Sequence, residues 1–137
     1  MTGETDLSKM LATLAPKLHD EEYVFCTFVN GRYGDYLELE PIASFIEAEG
    51  LTLVIPKPRA DQHGIAYEGV FRCITLSVHS SLEAVGLTAV IATQLAQHNI
   101  SANVIAAYYH DHVFVQNGRA EDALAAIISL QNDSSIL

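Results

Sequence analysis

The stretch Phe71-Arg72-Cys73-Ile74-Thr75-Leu76-Ser77-Val78-His79-Ser80-Ser81-Leu82-Glu83-Ala84-Val85-Gly86-Leu87 decides how the chain is read. Its first eight residues are dominated by apolar and β-branched side chains and predict a strand over 71–78. From Leu87 onward, Leu87, Val90, Ile91 and Leu95 recur at helical spacing and predict an amphipathic helix to about His98. Asn99 is expected to close that helix in a left-handed conformation. The strand-to-helix junction aims backbone N–H groups and short hydroxyl side chains at one spot. The first N–H groups of a helix lack intrahelical partners and attract anions. Ser80-x-x-Glu83 also fits a capping box, in which each side chain bonds the other residue's backbone N–H. Gly86 disfavours one continuous helix from Ser80. The main helix is therefore placed from Gly86, with residues 80–85 as a short turn before it. Capping and ligand contact both remain open for that turn.

Downstream, residues 103–109 and 113–115 read as two strands around a tight turn at His110-Asp111-His112. Gly118 introduces a last helix with the stripe Ala120, Ala123, Leu124, Ile127 and Ile128. Residues 134–137 are a possible extra strand. Upstream, Leu7, Met10, Leu11, Leu14 and Leu18 predict a first helix, stopped by Pro16. Residues 23–29 read as a strand followed by an Asn30-Gly31 turn. Residues 32–40 are ambiguous between a loop and a short edge. Pro41, Ile42, Phe45 and Ile46 predict a short helix ending at Gly50. Residues 51–55 form a strand, 57–64 the main internal connection, and 65–68 a possible short strand. A faint repeat aligns residues 41–55 with 88–105. The order is β-α-β after an extra helix, then β-α-β-β-α. This is an α+β plan of the ferredoxin-like βαββαβ type. The expected division is residues 1–64, a truncated or irregular unit with a leading helix, and residues 65–137, a fuller one.

The chain has 137 residues, half of them hydrophobic, enough to build a real core. No apolar run reaches the ~18 residues of a membrane span. The first residues lack the basic and apolar regions of a secretory signal, so a cytoplasmic location is expected. Cys26 and Cys73 lie in separate strand-like runs without a C-x-x-C neighbour and read as buried free thiols. The net charge of −10 repels phosphate backbones, which argues against nucleic acid as a partner.

The run Gly86-Leu87-Thr88-Ala89-Val90-Ile91-Ala92, then Leu95-Ala96-Gln97-His98-Asn99-Ile100-Ser101, resembles the ACT domain family. That family has a glycine at the start of its first helix and a break before its second strand. Residues 79–87, with a Ser-Ser run and a Val-Gly-Leu, resemble more narrowly a group with tandem ACT-like domains. That group includes small bacterial proteins and eukaryotic cytosolic arginine sensors. Residues 108–115 are similar to the bacterial members. The resemblance implies two tandem ACT-like units, a regulatory role and binding of an amino acid or similar metabolite at the loop before the helix. Carried over, the ligand-binding candidates are Ser80, Ser81, Glu83, Val85, Gly86 and Leu87, with Asn103 and Val104 on the adjacent strand edge. The helix-start N–H groups would take the ligand carboxylate, and Glu83 its ammonium. ACT units are often joined to an enzyme or a DNA-binding domain, and a stand-alone pair would act through a partner or by holding the ligand. A homodimer is the expected assembly, and a ligand-independent interaction module is the alternative.

Catalytic readings find little in the residues. No G-x-S-x-G surrounds Ser80 or Ser81, and neither a P-loop nor a G-x-G-x-x-G is present, so no cofactor is expected. Thiols inside strands are inert. His110, Asp111 and His112 carry metal-ligand chemistry, and a small metal-dependent enzyme is the third reading. Polar residues are ordinary in a turn, and no spacing motif supplies a third ligand. No metal site is therefore assigned.

Overall fold

The computed structural model describes residues 7–77 and 86–132. Its elements, in chain order, are α1 (Leu7–Ala12), β1 (Pro16–Phe28), β2 (Ala43–Glu47), β3 (Gly50–Pro56), α2 (Lys57–Gln62), β4 (Phe71–Leu76), α3 (Leu87–Gln97), β5 (Asn103–Ala106), β6 (Asp111–Gln116) and α4 (Ala120–Asn132). The α+β class read from the sequence holds. The chain forms two compact units, interleaved along the sequence. Unit 1 takes residues 1–20 and 72–137, and unit 2 takes 21–71. Their limits differ from the 64/65 division, because α1 and the start of β1 belong with the C-terminal half.

Unit 2 is built on the order β2-β3-β1. Its antiparallel register places Val24 opposite Ile55, Cys26 opposite Leu53 and Phe28 opposite Leu51. These alternating positions share one face, and all of them but the half-buried Phe28 are buried. Leu39, from a 3₁₀ turn at Leu37–Leu39, and Ala60 of α2 complete the cluster. Residues 43–47 are an edge strand and not the expected helix. The pattern Ile42, Phe45, Ile46 fits helical spacing, yet these side chains are not buried. Phe45 is 71% exposed and Ile46 61%. Gly50 follows a two-residue turn instead of ending a helix, with Glu47 opposite Gly50 in the register. Residues 41–49 therefore have no counterpart in α3, and the repeat of 41–55 with 88–105 fails. The expected connection at 57–64 contains α2, opened by proline and supported by an Lys57–Asp61 ion pair of 2.8 Å. Residues 65–68 are not a strand; Ile65 and Tyr67 pack on the unit 2 core. The Tyr67 hydroxyl donates to Asp61.

Unit 1 has the order β1-β4-β6-β5. Strand β4, helix α3, hairpin β5–β6 and helix α4 supply βαββα, and the sixth element beside β4 is the start of β1. Ile74 and Leu76 of β4 and Val113 and Val115 of β6 point into the core. Met10 and Leu11 of α1, Leu14, Leu87, Ile91 and Leu95 of α3 and the α4 residues Ala120, Ala123, Ala126, Ile127 and Leu130 cover them. The α4 stripe thus follows 123, 126, 127 and 130, leaving Ile128 exposed and Leu124 only half-buried. Helix α1 is shorter than its apolar spacing suggested. Ala15, at a positive φ of 40°, reverses the chain, and Pro16 opens β1 with Leu18 inside the strand. The possible strand at 134–137 lies outside the described residues. No helix among the described residues is long and apolar enough to cross a membrane.

Candidate functional site

The best-defined part of the expected site is the start of α3. Gly86 is its N-cap, as the sequence placed it, at φ +103°, a left-handed conformation open chiefly to glycine. A Cβ there would sit 3.3 Å from Leu7 Cδ2. Among the described residues no side-chain cap bond is made by the N-cap at this end of the helix, and the Gly86 carbonyl accepts from Val90 N–H at 2.9 Å. The other end also matches: Asn99 is left-handed at φ 58°, and Ile100 N–H returns to Leu95 O. Ser80, Ser81, Glu83 and Val85 lie outside the described residues.

Leu87 is buried in the unit 1 core, so its side chain holds the helix down. Val104 packs against the same core from β5. Leu87 and Val104 are thereby brought into one cluster. Asn103 is an exposed β5 residue whose side-chain amide donates to Phe114 O at 3.2 Å. A groove on α3 and α4 is lined by Ala89, Val90, Thr93, Gln94, Gln97 and Leu130. The Gln94 amide is spoken for, donating to Ala126 O and to Ser129 Oγ.

The hairpin after α3 differs from its expected form. Strand β5 ends at Ala106 and β6 begins at Asp111, in register opposite one another. The turn is therefore 107–110, closed by Ala107 N–H to His110 O at 3.0 Å. Tyr108 and Tyr109 look strand-like by propensity but are exposed at the tip, edge to face on each other. Asp111 and His112 are consequently strand residues. His112 Nδ1 lies 3.0 Å from Thr75 Oγ1, and His19 Nε2 lies 2.8 Å from the same hydroxyl. This polar cluster was not anticipated. The one signal for it is the β4 alternation, which sets Cys73 and Thr75 on the face opposite Ile74 and Leu76. His19 was hidden by the helical reading of Leu14 and Leu18. Among the described residues no group of three or more His, Cys, Asp or Glu is placed to hold a metal ion.

Two family models, both described as ACT domain, match the chain over residues 2–72 and 68–129. A protein of unknown function from Vibrio cholerae, described as a possible transport protein, is 54% identical. The match covers 91% of this chain and 95% of that one, with a TM-score of 0.83. A protein from Agrobacterium tumefaciens has a TM-score of 0.68 at 14% identity, covering 85% and 87% of the two chains. The ligand-free regulatory subunit of aspartate kinase from Thermus thermophilus has a TM-score of 0.62 at 12% identity, covering 87% and 98%. Comparison with curated protein sequences gives no match.

Proposed function

The chain belongs to the ACT domain family, and we propose that it is a non-catalytic, cytoplasmic regulatory protein that binds a small amino acid. The observation that carries this is the start of α3. Gly86 stands at a conformation that disfavours a side chain, and as a glycine it offers none to cap the amides of the first turn. Such an end favours a carboxylate. Ser80, Ser81, Glu83 and Val85 of the preceding segment, with Gly86, Leu87, Asn103 and Val104, are the proposed contacts, Glu83 taking the ligand ammonium. Leu87 and Asn103 contribute main chain, because their side chains are engaged elsewhere. Likeness of fold to a regulatory subunit of aspartate kinase supports regulation over catalysis. The ligand acts by binding one conformation or assembly better than another.

Thermal denaturation of the whole chain against each amino acid at millimolar concentration tests this. A ligand at about 100 times its Kd stabilises by about 2.7 kcal/mol. A rise in Tm of several degrees with one amino acid or a related group is expected. Replacing Gly86 by valine should lower the starting Tm and abolish the rise. No stabilisation by any amino acid contradicts the proposal.

A second reading, a ligand-independent homodimer, is favoured by β2. It is the outer strand of the unit 2 order, and its Phe45 and Ile46, with Ile42 just before it, are all more than half exposed. Unpaired edge groups beside apolar side chains invite pairing with another copy. Sedimentation of the wild type is expected to show a dimer, and Ile46→Lys a monomer with little change in Tm. A monomeric wild type excludes this reading.

A further inference from the structure

His19, Thr75 and His112 come from β1, β4 and β6 of unit 1, on the sheet face turned away from its helical core. Leu18, Ile74 and Val113 occupy the core face at the neighbouring positions. One hydroxyl links the two imidazoles, at 2.8 Å and 3.0 Å. A threonine hydroxyl has one proton to give and two lone pairs to accept with. When both rings are neutral, Thr75 donates to one and accepts from the other, which fixes opposite roles for the two facing nitrogens. A single added proton is absorbed without loss of either bond, since the charged ring donates and Thr75 donates onward. A second proton makes both rings donors into the same oxygen. The hydroxyl proton must then turn away, toward Cys73 Sγ at 4.0 Å. Two cations would also stand within about 6 Å of each other.

The surrounding groups do little to relieve that pairing. Arg72 adds positive charge, donates to the His19 carbonyl at 2.9 Å and lies 3.8 Å from the Asp20 carboxylate. Burial pushes the Cys73 thiol up, so it stays protonated and neutral. His110 Nδ1 is buried without a hydrogen-bond partner among the described residues. Asp111 is the acid next to His112, and burial raises its carboxyl while His112 and His110 pull it down. Burial lowers His112 below the ordinary imidazole value, His110 and His19 add to that, and Asp111 opposes it.

We propose that the His19–Thr75–His112 chain is a proton-sensitive clasp of unit 1. It joins β1, β4 and β6 while at most one of its two imidazoles is charged, and it loosens when both are. A histidine depressed in the folded state binds its proton more readily in the unfolded chain. The stability it contributes is present at neutral pH and is lost as pH falls below about 6.5 toward the lower folded value.

The test is an NMR titration of the imidazole resonances of the full chain, from neutral to mildly acid pH, in the wild type and in His19→Gln. His112 is expected to titrate below the ordinary imidazole value. Its midpoint should rise by about half a pH unit in the variant, the shift two unit charges about 6 Å apart exchange in a water-like dielectric. The acid-side fall in Tm should be shallower in His19→Gln as well. Thr75→Val, which removes the bridge, should lower Tm at neutral pH. A wild-type His112 midpoint at the ordinary value, or one that His19→Gln leaves in place, overturns the proposal. The wild-type midpoint alone decides if either variant fails to fold.

Discussion

A fragment of residues 65–137 is expected not to fold, although it contains the matched ACT segment 68–129. Met10, Leu11 and Leu14 are at most 2% exposed and sit in the unit 1 core, with Leu18 of β1 packed against it. Burying one such side chain contributes about 1.5–3 kcal/mol. Losing all of them removes several kcal/mol, comparable with the whole stability of a small domain. It also bares the edge of β4 that the start of β1 covers. Far-UV circular dichroism and a thermal melt of the fragment check this. A cooperative transition close to that of the full chain would show that the N-terminal segment is dispensable. Adding residues 7–20 back as a separate peptide should restore part of the melt.

Gly50→Val is expected to destabilise the chain by about 3 kcal/mol, lowering Tm by roughly 10 °C. Gly50 opens β3 at φ +153°, and a Cβ there would sit 2.7 Å from the Phe28 carbonyl oxygen and 3.0 Å from its carbon. Both are main-chain atoms of a paired strand, since Phe28 is matched to Leu51. The neighbour cannot swing aside as a flexible side chain would. The β2–β3 turn and the Phe28–Leu51 pairing must shift together. Gly64→Ala is the control, because the space around Gly64 is open, although its φ of +65° makes a smaller cost there normal. A Gly50→Val chain as stable as the wild type would mean that the hairpin is not built as described.

Much of the fold could be read from period alone where burial is one-sided and the element is long. Strand β4, helix α3 and helix α4 were all legible because Ile74 and Leu76, Leu87, Ile91 and Leu95, and Ala123 and Ile127 repeat at the spacing of their element. Gly86 and Asn99 marked the ends of α3 for a conformational reason, and both have positive φ. The period misled where apolar residues are not buried. Ile42, Phe45 and Ile46 imitate a helix stripe but lie exposed, Phe45 and Ile46 on an edge strand and Ile42 just before it. Tyr108 and Tyr109 imitate a strand but form a turn. Leu14 and Leu18 extended a helix that Ala15 and Pro16 end. That last misreading hid the interleaving, because nothing local in residues 16–20 tells that they pair with β4. It hid His19 for the same reason. Of the proposed ligand contacts, the position of Gly86 was legible from the cost of glycine within a helix. The engagement of the Leu87 and Asn103 side chains was not, since each depends on partners distant in sequence.

The central claim is that an amino acid binds where α3 begins. The most direct measurement follows the backbone amide resonances of the uniformly ¹⁵N-labelled chain while each amino acid is added. With the cognate ligand, saturable shifts are expected at Gly86, Leu87 and the following amides of the first turn, with smaller ones at Asn103 and Val104. Amide shifts that stay at baseline for every amino acid at millimolar concentration, or that saturate only at residues remote from the start of α3, would contradict it.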